Sequence, residues 1–540
     1  MSLVLIVTDL ERGPLGLPSR AGEDVAGEPA LVRTVRRAAR IDGARRVVLV
    51  HPEGQSPLAL LAGTDVGRPV ETFAVEPGRM RANQRWIAAR KWALDCWRGG
   101  LGGATVYDEL LPAAPLTEAM RHFDASAAVL VGAEWCLFDP ELASRQLAMH
   151  QDEPEAYKLV FTQAPPGLAA MVTSRAVLEQ LAEHHAAFGQ AMGYNPRAPR
   201  PDPVGQDVNL PIPPEVRDAR GRFIFDTPAG AAAVRAIADG LGDRLAQADA
   251  AAVVKAWQEG EVAPPALPQQ VTLELTPERA VSGPITPQHW VEFDRAAMDA
   301  GLAREILAQL GEAGDVALRL GGLGDAMRHP AWRELAQAAR EAGVLGIALD
   351  TDLVGEPGEA LTLLEAGLDA VTVRMNADQA ETYRAVMGVD RLPRVTGNLD
   401  KLFRQRGGRP TPWLVPRLIK TAKTLGDLER FFDRWMRWAG AAVVEPAQSG
   451  CGLMPEQSPV PMAPPLRTPC RQLGQRMTIL SDGTVALCDQ DWLGREALGN
   501  AGEEPLSTIW ARARERALAQ HAGEPVATAT CRRCVEWHRP

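Results

Sequence analysis

Met477-Thr-Ile-Leu-Ser-Asp-Gly-Thr-Val-Ala-Leu-Cys488-Asp-Gln-Asp491 sets two short apolar runs on either side of Asp482-Gly483. Asp-Gly between apolar runs is a strong hairpin signal, so the stretch reads as strand, tight turn and second strand ending on a thiol. That thiol is one of four in the order Cys470-x17-Cys488-x42-Cys531-x2-Cys534, out of 7 cysteines in the chain. A distant thiol pair brought up to a close pair is how a chain builds a four-thiolate site. Such a site holds an iron–sulfur cluster or a structural zinc. A disulfide framework does not suit a chain that reads as intracellular.

Further anchors surround these cysteines: Asp482-Gly483-Thr-Val, Asp491, Leu498-Gly-Asn500, Leu506, Ile509-Trp510 and His521. In this order the tail resembles the SPASM domain, the auxiliary-cluster module that follows many radical SAM enzymes. The resemblance implies an auxiliary [4Fe–4S] cluster on Cys470, Cys488, Cys531 and Cys534. A single set of four implies one cluster. Trp492, Trp510 and Trp537 are expected to pack around it and keep water off. His521 and His538 read as surface residues near the site.

The chain of 540 residues is long enough for several domains, and its composition is that of a globular protein. A net charge of −10 gives no basic footprint for nucleic acid. Met1–Asp9 lacks a basic n-region and its apolar run is short, so it reads as a buried first strand. No run is long enough to span a bilayer. A cytoplasmic, reducing setting is the expectation.

From Leu3 to about Pro211, β-branched runs at Leu3–Val7, Val47–Val50, Val70–Val75 and Ala127–Gly132 alternate with helical segments such as Ala30–Ile41. This predicts an α/β layer with a mostly parallel sheet. The loop after the first strand holds Gly13, Gly16, Arg20 and Gly27. It resembles the phosphate-cradling loop of nucleotidyltransferase-like domains of the GT-A type. There glycines let the backbone approach a phosphate and cations neutralise it. The acidic Glu23-Asp24 departs from that pattern, and Glu134 stands where an aspartate would hold Mg²⁺. A helix over Arg79–Arg98, with Trp86, Trp92 and Trp97 among Arg81, Arg85, Arg90 and Lys91, is expected to bury its tryptophans and solvate its cations.

Pro211, Pro213 and Pro214 break this domain. A helical pair from Pro228 to Glu259 follows, and Pro264–Pro268 forms a stiff linker. Strands at Val271–Leu275, Val316–Leu320, Gly346–Leu349, Ala370–Arg374, Trp413–Ile419 and Ala441–Val444 then alternate with helices. One is marked by Leu428, Phe431, Phe432, Trp435 and Trp438. Six such repeats predict a partial (β/α)6 barrel of the TIM type, with chemistry at the carboxyl ends of its strands. The expected domains are 1–211 (GT-A nucleotidyltransferase-like), 212–269 (helical linker), 270–449 (partial barrel) and 450–540 (SPASM).

Val271-Thr-Leu-Glu-Leu-Thr276 is similar to the first strand of radical SAM domains, which a CxxxCxxC loop follows. Arg279, Gly283 and Thr286 occupy those three positions here, and no CxxxCxxC occurs in the chain. Without three soft ligands an open-site cluster is not held. The family's glycine-rich segment, which meets the amino group of S-adenosylmethionine, corresponds to Gly321-Gly-Leu-Gly324-Asp325, with His329-Pro330 after it. The layout resembles spiro-SPASM proteins with a degenerate radical SAM core. S-adenosylmethionine is therefore not an expected cofactor. The barrel mouth presents Glu274, Asp325, Asp350, Asp352, Arg374, Asn376, Lys420, Lys423 and Glu445, a set that suits a small anionic or zwitterionic ligand. Cys96 and Cys136 read as core, and Cys451 as a loop thiol or an extra ligand.

These readings leave three functions. One is an iron–sulfur protein whose cluster is structural, transfers electrons or anchors a substrate. The second is a nucleotidyl or glycosyl transferase acting near Arg20 and Glu134. The third is a still-active radical SAM maturase. The expected partners are a small molecule or peptide and, in one version, a partner protein. No nucleic acid or membrane is expected.

Overall fold

The structure, a computed structural model, describes residues 1–91, 105–110, 112–184, 188–189, 209–262, 264–440, 442–460, 463–470, 472–524 and 528–538. It divides into two compact units, the first holding most of residues 1–265 and the second 266–540.

The first unit is built on a six-stranded sheet whose central strand is Ser2–Val7, SLVLIV, buried along its whole length. A strand with apolar residues on both faces belongs between two helical layers. Ser2–Val7 pairs in parallel with Val47–Pro52 on one side and Ala127–Gly132 on the other. Val70–Val75 extends the sheet in parallel, and Met171–Ser174 and Leu159–Val160 close the far side antiparallel. The chain runs outward to Val70–Val75 and then returns to the opposite side of Ser2–Val7. Such a reversal opens a crevice at the carboxyl ends of the two central strands.

The helical pair at Pro228–Leu241 and Ala250–Glu259 packs into this unit. Val234, Ile237 and Val253 share a core with Cys136, Leu137 and Leu142. One carboxylate fastens it. Asp139 caps the helix Pro140–Asp152 through the amide of Glu141 (2.8 Å), and its second oxygen accepts from the amide of Ala250 (2.9 Å). Cys136 is fully buried, as expected of a core thiol, and burial pushes its pKa up to about 12. The single helix expected over Arg79–Arg98 is two short ones, Pro77–Met80 and Gln84–Lys91. Arg79 and Arg81 leave the helical face for Glu118 and Asp9. Trp92, Cys96, Trp97 and Arg98 lie outside the described residues.

The second unit carries the six expected parallel strands in sequential order: Gln270–Leu273, Ala317–Leu320, Gly346–Thr351, Ala370–Arg374, Trp413–Lys420 and Val443–Pro446. Ala441, the expected start of the last, is outside the described residues. Between them run helices including Ala300–Ala313, Trp332–Glu341 and Leu392–Arg406, an open (β/α)6 barrel. The helix Leu428–Trp438 buries Phe431 and Trp435 as its spacing predicts, but Trp438 is 61% exposed. The tail continues the same sheet. Arg476–Ile479 pairs in parallel with Gln270–Leu273, and Thr484–Ala486 returns antiparallel across a turn at Gly483 (φ +84°). The hairpin is therefore a seventh and eighth strand on the barrel's first edge.

Candidate functional site

The hairpin delivers Cys488 immediately after its second strand. The other thiols arrive by separate local devices. Cys531 lies on the helical turn Ala529–Arg533, whose first turn is capped by Thr528: its hydroxyl accepts from the Cys531 amide at 3.2 Å. Arg467 donates to the Cys531 carbonyl at 2.8 Å. Cys534 follows, and its sulfur accepts from the amide of Glu536 at 3.2 Å. The Cys470 amide donates to Gln520, on the helix Leu506–His521, at 3.2 Å. Glu496 accepts from the amide of Thr530 at 2.9 Å, so the loop after Cys488 holds the start of the Cys531 turn.

Each of the four expected ligands lies within electrostatic reach of at least one other. Cys488 feels Cys531 and Cys534, Cys470 feels Cys534, and Cys531 feels both Cys534 and Cys470. A fifth thiol joins them. Its interaction with Cys534, burial, and the nearby Cys488 and Cys531 raise the Cys451 thiol. Burial pushes the Cys488 thiol well above its ordinary pKa and raises Cys470 and Cys531. The interaction with Cys451 lowers the Cys534 thiol.

Among the described residues no three His, Cys, Asp or Glu side chains converge tightly enough to hold a metal ion as placed. Trp492, Trp510 and Trp537 are buried as expected, and the indole N–H groups of Trp492 and Trp510 have no hydrogen-bond partner among the described residues. Such donors suit sulfur acceptors. The donor set thus fits a four-thiolate cluster. His521 is exposed at its helix end.

Cys488 and Trp492 also line a cavity of about 210 Å³, shared with Glu274, Arg319, Arg417, Glu445 and Asp491. A smaller one of about 90 Å³ lies against Arg279, Arg374, Arg417 and Glu445. Of the expected mouth residues, only Glu274, Arg374 and Glu445 reach these cavities. Glu274 is buried and paired with Arg295 (2.6 and 2.9 Å). Asp350 is buried; burial raises its pKa, but Arg319, Arg374 and Arg417 outweigh that and leave it below the usual carboxylate range. Asn376 spends its side chain on the Ile419 amide. Asp325, raised to about 6 by burial and by Asp352, accepts from the Asp352 amide at 2.8 Å. Lys420 and Lys423 line neither cavity. Arg319 and Arg417 were not singled out, though a lone arginine inside each apolar strand was the readable sign of an inward-facing charge.

The positions of the absent CxxxCxxC are filled in other ways. Arg279 is buried in an ion pair with Asp352. A Cβ on Gly283 would lie 2.1 Å from the Met387 carbonyl carbon and 2.3 Å from the Val386 oxygen, so no side chain fits there. Thr286 is buried and donates its hydroxyl to the Gly283 carbonyl at 2.8 Å. On the glycine-rich segment, the Arg374 guanidinium donates to the carbonyls of Gly324 (2.7 Å) and Gly322 (2.6 Å).

In the first unit, Arg20 and Glu134 do meet, but through the Arg20 backbone. Glu134 Oε1 accepts from the Arg20 amide (2.9 Å) and the Ser19 hydroxyl (3.2 Å). The Arg20 guanidinium is turned onto Glu23, which also takes Arg235. A cavity of about 30 Å³ lies at the crevice between the central strands, against Asp9, Arg12, Arg81 and Glu134. Burial, with Asp226 nearby, pushes Glu134 up to about 8.

Residues 470–535 match the family described as SPASM, iron-sulfur cluster-binding domain, which bears out that reading of the tail. An uncharacterized protein of Treponema pallidum (strain Nichols) is 34% identical over 125 residues, 23% of this chain and 34% of that protein, so the chain spans about a third of the curated relative it matches. Among solved structures, Streptococcus suis SuiB aligns at a TM-score of 0.39 and 12% identity, over 50% of this chain and 71% of that one. A cytidylyltransferase from Leptospira borgpetersenii serovar Hardjo-bovis aligns at 0.33 and 10%, over 48% and 94%.

Two outcomes follow from this geometry. Gly283→Ala overpacks against backbone that cannot yield and lowers stability by about 1–3 kcal/mol, read from urea unfolding. Glu134 is protonated in the folded chain up to about pH 8, whereas an unfolded glutamate ionises near its ordinary value of 4.5. The folded state binds the extra proton between those values, so the stability contributed by this group is lost as pH rises through that window. Glu134→Gln removes that slope, seen as melting temperatures that diverge from wild type between pH 5 and 8.

Proposed function

We propose that this SPASM-domain protein of the radical SAM/SPASM superfamily holds one [4Fe–4S] cluster on Cys470, Cys488, Cys531 and Cys534, beside a barrel that does not cleave S-adenosylmethionine. The observation that carries the proposal is the filling of the barrel's former cluster loop. Arg279 is spent on Asp352, and Gly283 has no room for a thiol. Arg374 occupies the carbonyls of Gly322 and Gly324, on the segment that in the resembled family meets the amino group of S-adenosylmethionine. A guanidinium donating where an ammonium would donate satisfies those carbonyls permanently.

A cluster bound in the tail supplies one-electron transfer or a Lewis-acidic anchor. The chain's own residues do the rest. Trp492, Trp510 and Trp537 keep water from the thiols. Arg295 holds Glu274 and donates to the Trp492 carbonyl at 3.0 Å, which fixes the wall between thiols and cavity. The cavity of about 210 Å³ beside Cys488 then receives a small molecule or one side chain of a peptide, with a partner protein supplying any further chemistry. No helix among the described residues is long and apolar enough to cross a membrane. A cytoplasmic setting is part of this proposal, since free thiolates persist under reducing conditions.

Anaerobic purification should yield iron, labile sulfide and broad visible absorbance, and Cys531→Ser should abolish all three. Zinc in place of iron would replace the cluster by a zinc module. Under reducing conditions the loaded protein should release no 5′-deoxyadenosine from S-adenosylmethionine; turnover would restore the maturase reading.

A second reading is favoured by the cavity at the strand-order reversal of the first unit, the usual place for a ligand in such sheets. We propose it as the site of any nucleotidyl or glycosyl transfer, with Asp9 and Glu134 as the acidic groups. A thermal-shift scan with nucleotides and Mg²⁺ should raise the melting temperature, and Glu134→Gln should remove the shift. No shift with any nucleotide ends this reading.

A further inference from the structure

Arg417 lines both barrel cavities and is 8% exposed. It follows the apolar run Trp413-Leu-Val-Pro416 within the strand Trp413–Lys420. Its backbone is held on both sides by one residue. The Arg417 carbonyl accepts from the amides of Met375 (3.1 Å) and Asn376 (3.0 Å), and the Asn376 side chain accepts from the Ile419 amide (3.1 Å). Asn376 sits just past the neighbouring strand Ala370–Arg374 in a left-handed conformation, φ +57°. Such a conformation is uncommon and persists where the surroundings enforce it.

The side chain is less committed than the backbone. A guanidinium carries five N–H donors. One of those on Arg417 donates to Glu445 at 3.1 Å. Its Nε lies 3.1 Å from the second Glu445 oxygen, is buried, and makes no hydrogen bond among the described residues. Buried donors are satisfied as a rule, so this guanidinium has capacity for an acceptor in the space it lines.

The barrel residues around that space present mostly positive charge. Arg279, Arg319 and Arg374 join Arg417 on the cavity walls, while the partners of Arg279 and Arg319, Asp352 and Asp350, line neither cavity. Arg319 and Arg374 also share a single oxygen of Asp350. Of the two barrel carboxylates on the walls, Glu274 is taken by Arg295. Walls of one sign and low dielectric focus their field on the space between them. The tail contributes Asp489, Asp491 and Glu536 beside Arg476, with Asp491 spent on the amides of Arg495 and Glu496 (both 3.0 Å).

We infer that the cavity takes a small monocarboxylate with an uncharged body, its two oxygens on the Arg417 guanidinium and its body against Leu323, Val444, Pro446 and Leu480. The planar fork of a guanidinium matches the two oxygens of a carboxylate. The tail's acidic groups disfavour a second negative charge, and a volume of about 210 Å³ admits only a small molecule. This inference rests on the reading above that the cavity receives a small molecule, and it adds the ligand's charge and its anchor.

Thermal unfolding of the full chain, purified anaerobically, tests it with butyrate, butyramide and butylammonium, which are close in size and differ in charge. At fixed ionic strength, with chloride as the balancing anion, butyrate should raise the melting temperature by about 2–4 °C near saturation. The amide and the ammonium should leave it unchanged. Arg417→Gln should abolish the rise. That variant leaves Glu445 without its cation, so Arg417→Gln combined with Glu445→Gln serves as the neutral control and should abolish the rise as well. Glu445→Gln alone releases the guanidinium and should enlarge the rise at a given butyrate concentration, a gain that misfolding cannot mimic. A butyrate rise that survives the loss of Arg417, or one that shrinks in Glu445→Gln, overturns the inference. A rise with butyramide or butylammonium equal to that with butyrate overturns the assigned charge and leaves the cavity reading standing. A larger rise with inorganic phosphate overturns the carboxylate in favour of a tetrahedral oxyanion. No rise with any of these probes defeats the cavity reading, and the inference with it.

Discussion

The second unit depends on the parallel pairing of Arg476–Ile479 with Gln270–Leu273. This ladder joins the barrel's first strand to a hairpin some two hundred residues later, and it continues past the strands through the bond from the Glu274 amide to the Ile479 carbonyl (2.9 Å). Glu274 then works as a hub. Its side chain accepts from the Ser481 amide and from Arg295, which in turn reaches the Trp492 carbonyl. A buried carboxylate with its cation and amide donors in place is stable where it sits and expensive to disturb. The thiol on the hairpin is thereby set against the barrel interior, and the cavity between them has fixed walls.

The barrel interior is crowded with paired charge. Arg319 and Arg374 converge on Asp350, Arg279 takes Asp352, and Arg417 takes Glu445. The glycine-rich segment packs the core, as Gly324 shows: a Cβ there would lie 1.8 Å from the Thr276 carbonyl.

Much of this was legible from local pattern. The hairpin around Asp482-Gly483, the six barrel strands and the first sheet's four parallel strands all follow from short-range periodicity and turn chemistry. Over residues 79–91 the expected single helix is two, Pro77–Met80 and Gln84–Lys91, with Arg79 paired to Glu118 and Arg81 to Asp9, both far away in sequence. The Arg20 guanidinium faces Glu23, and it is the Arg20 amide that meets Glu134.

The sequence by itself determined the thiol inventory, the absence of a three-cysteine loop in the barrel and the α/β order of the strands. These are properties of residue type and spacing, carried by neighbours a few positions apart. Only the tertiary structure decided that Gly283 is closed to a side chain and that Arg374 fills the carbonyls of the glycine-rich segment. Each is a contact between segments dozens of residues apart in the chain. Their distances are set by how whole strands and loops pack, and no local pattern encodes that.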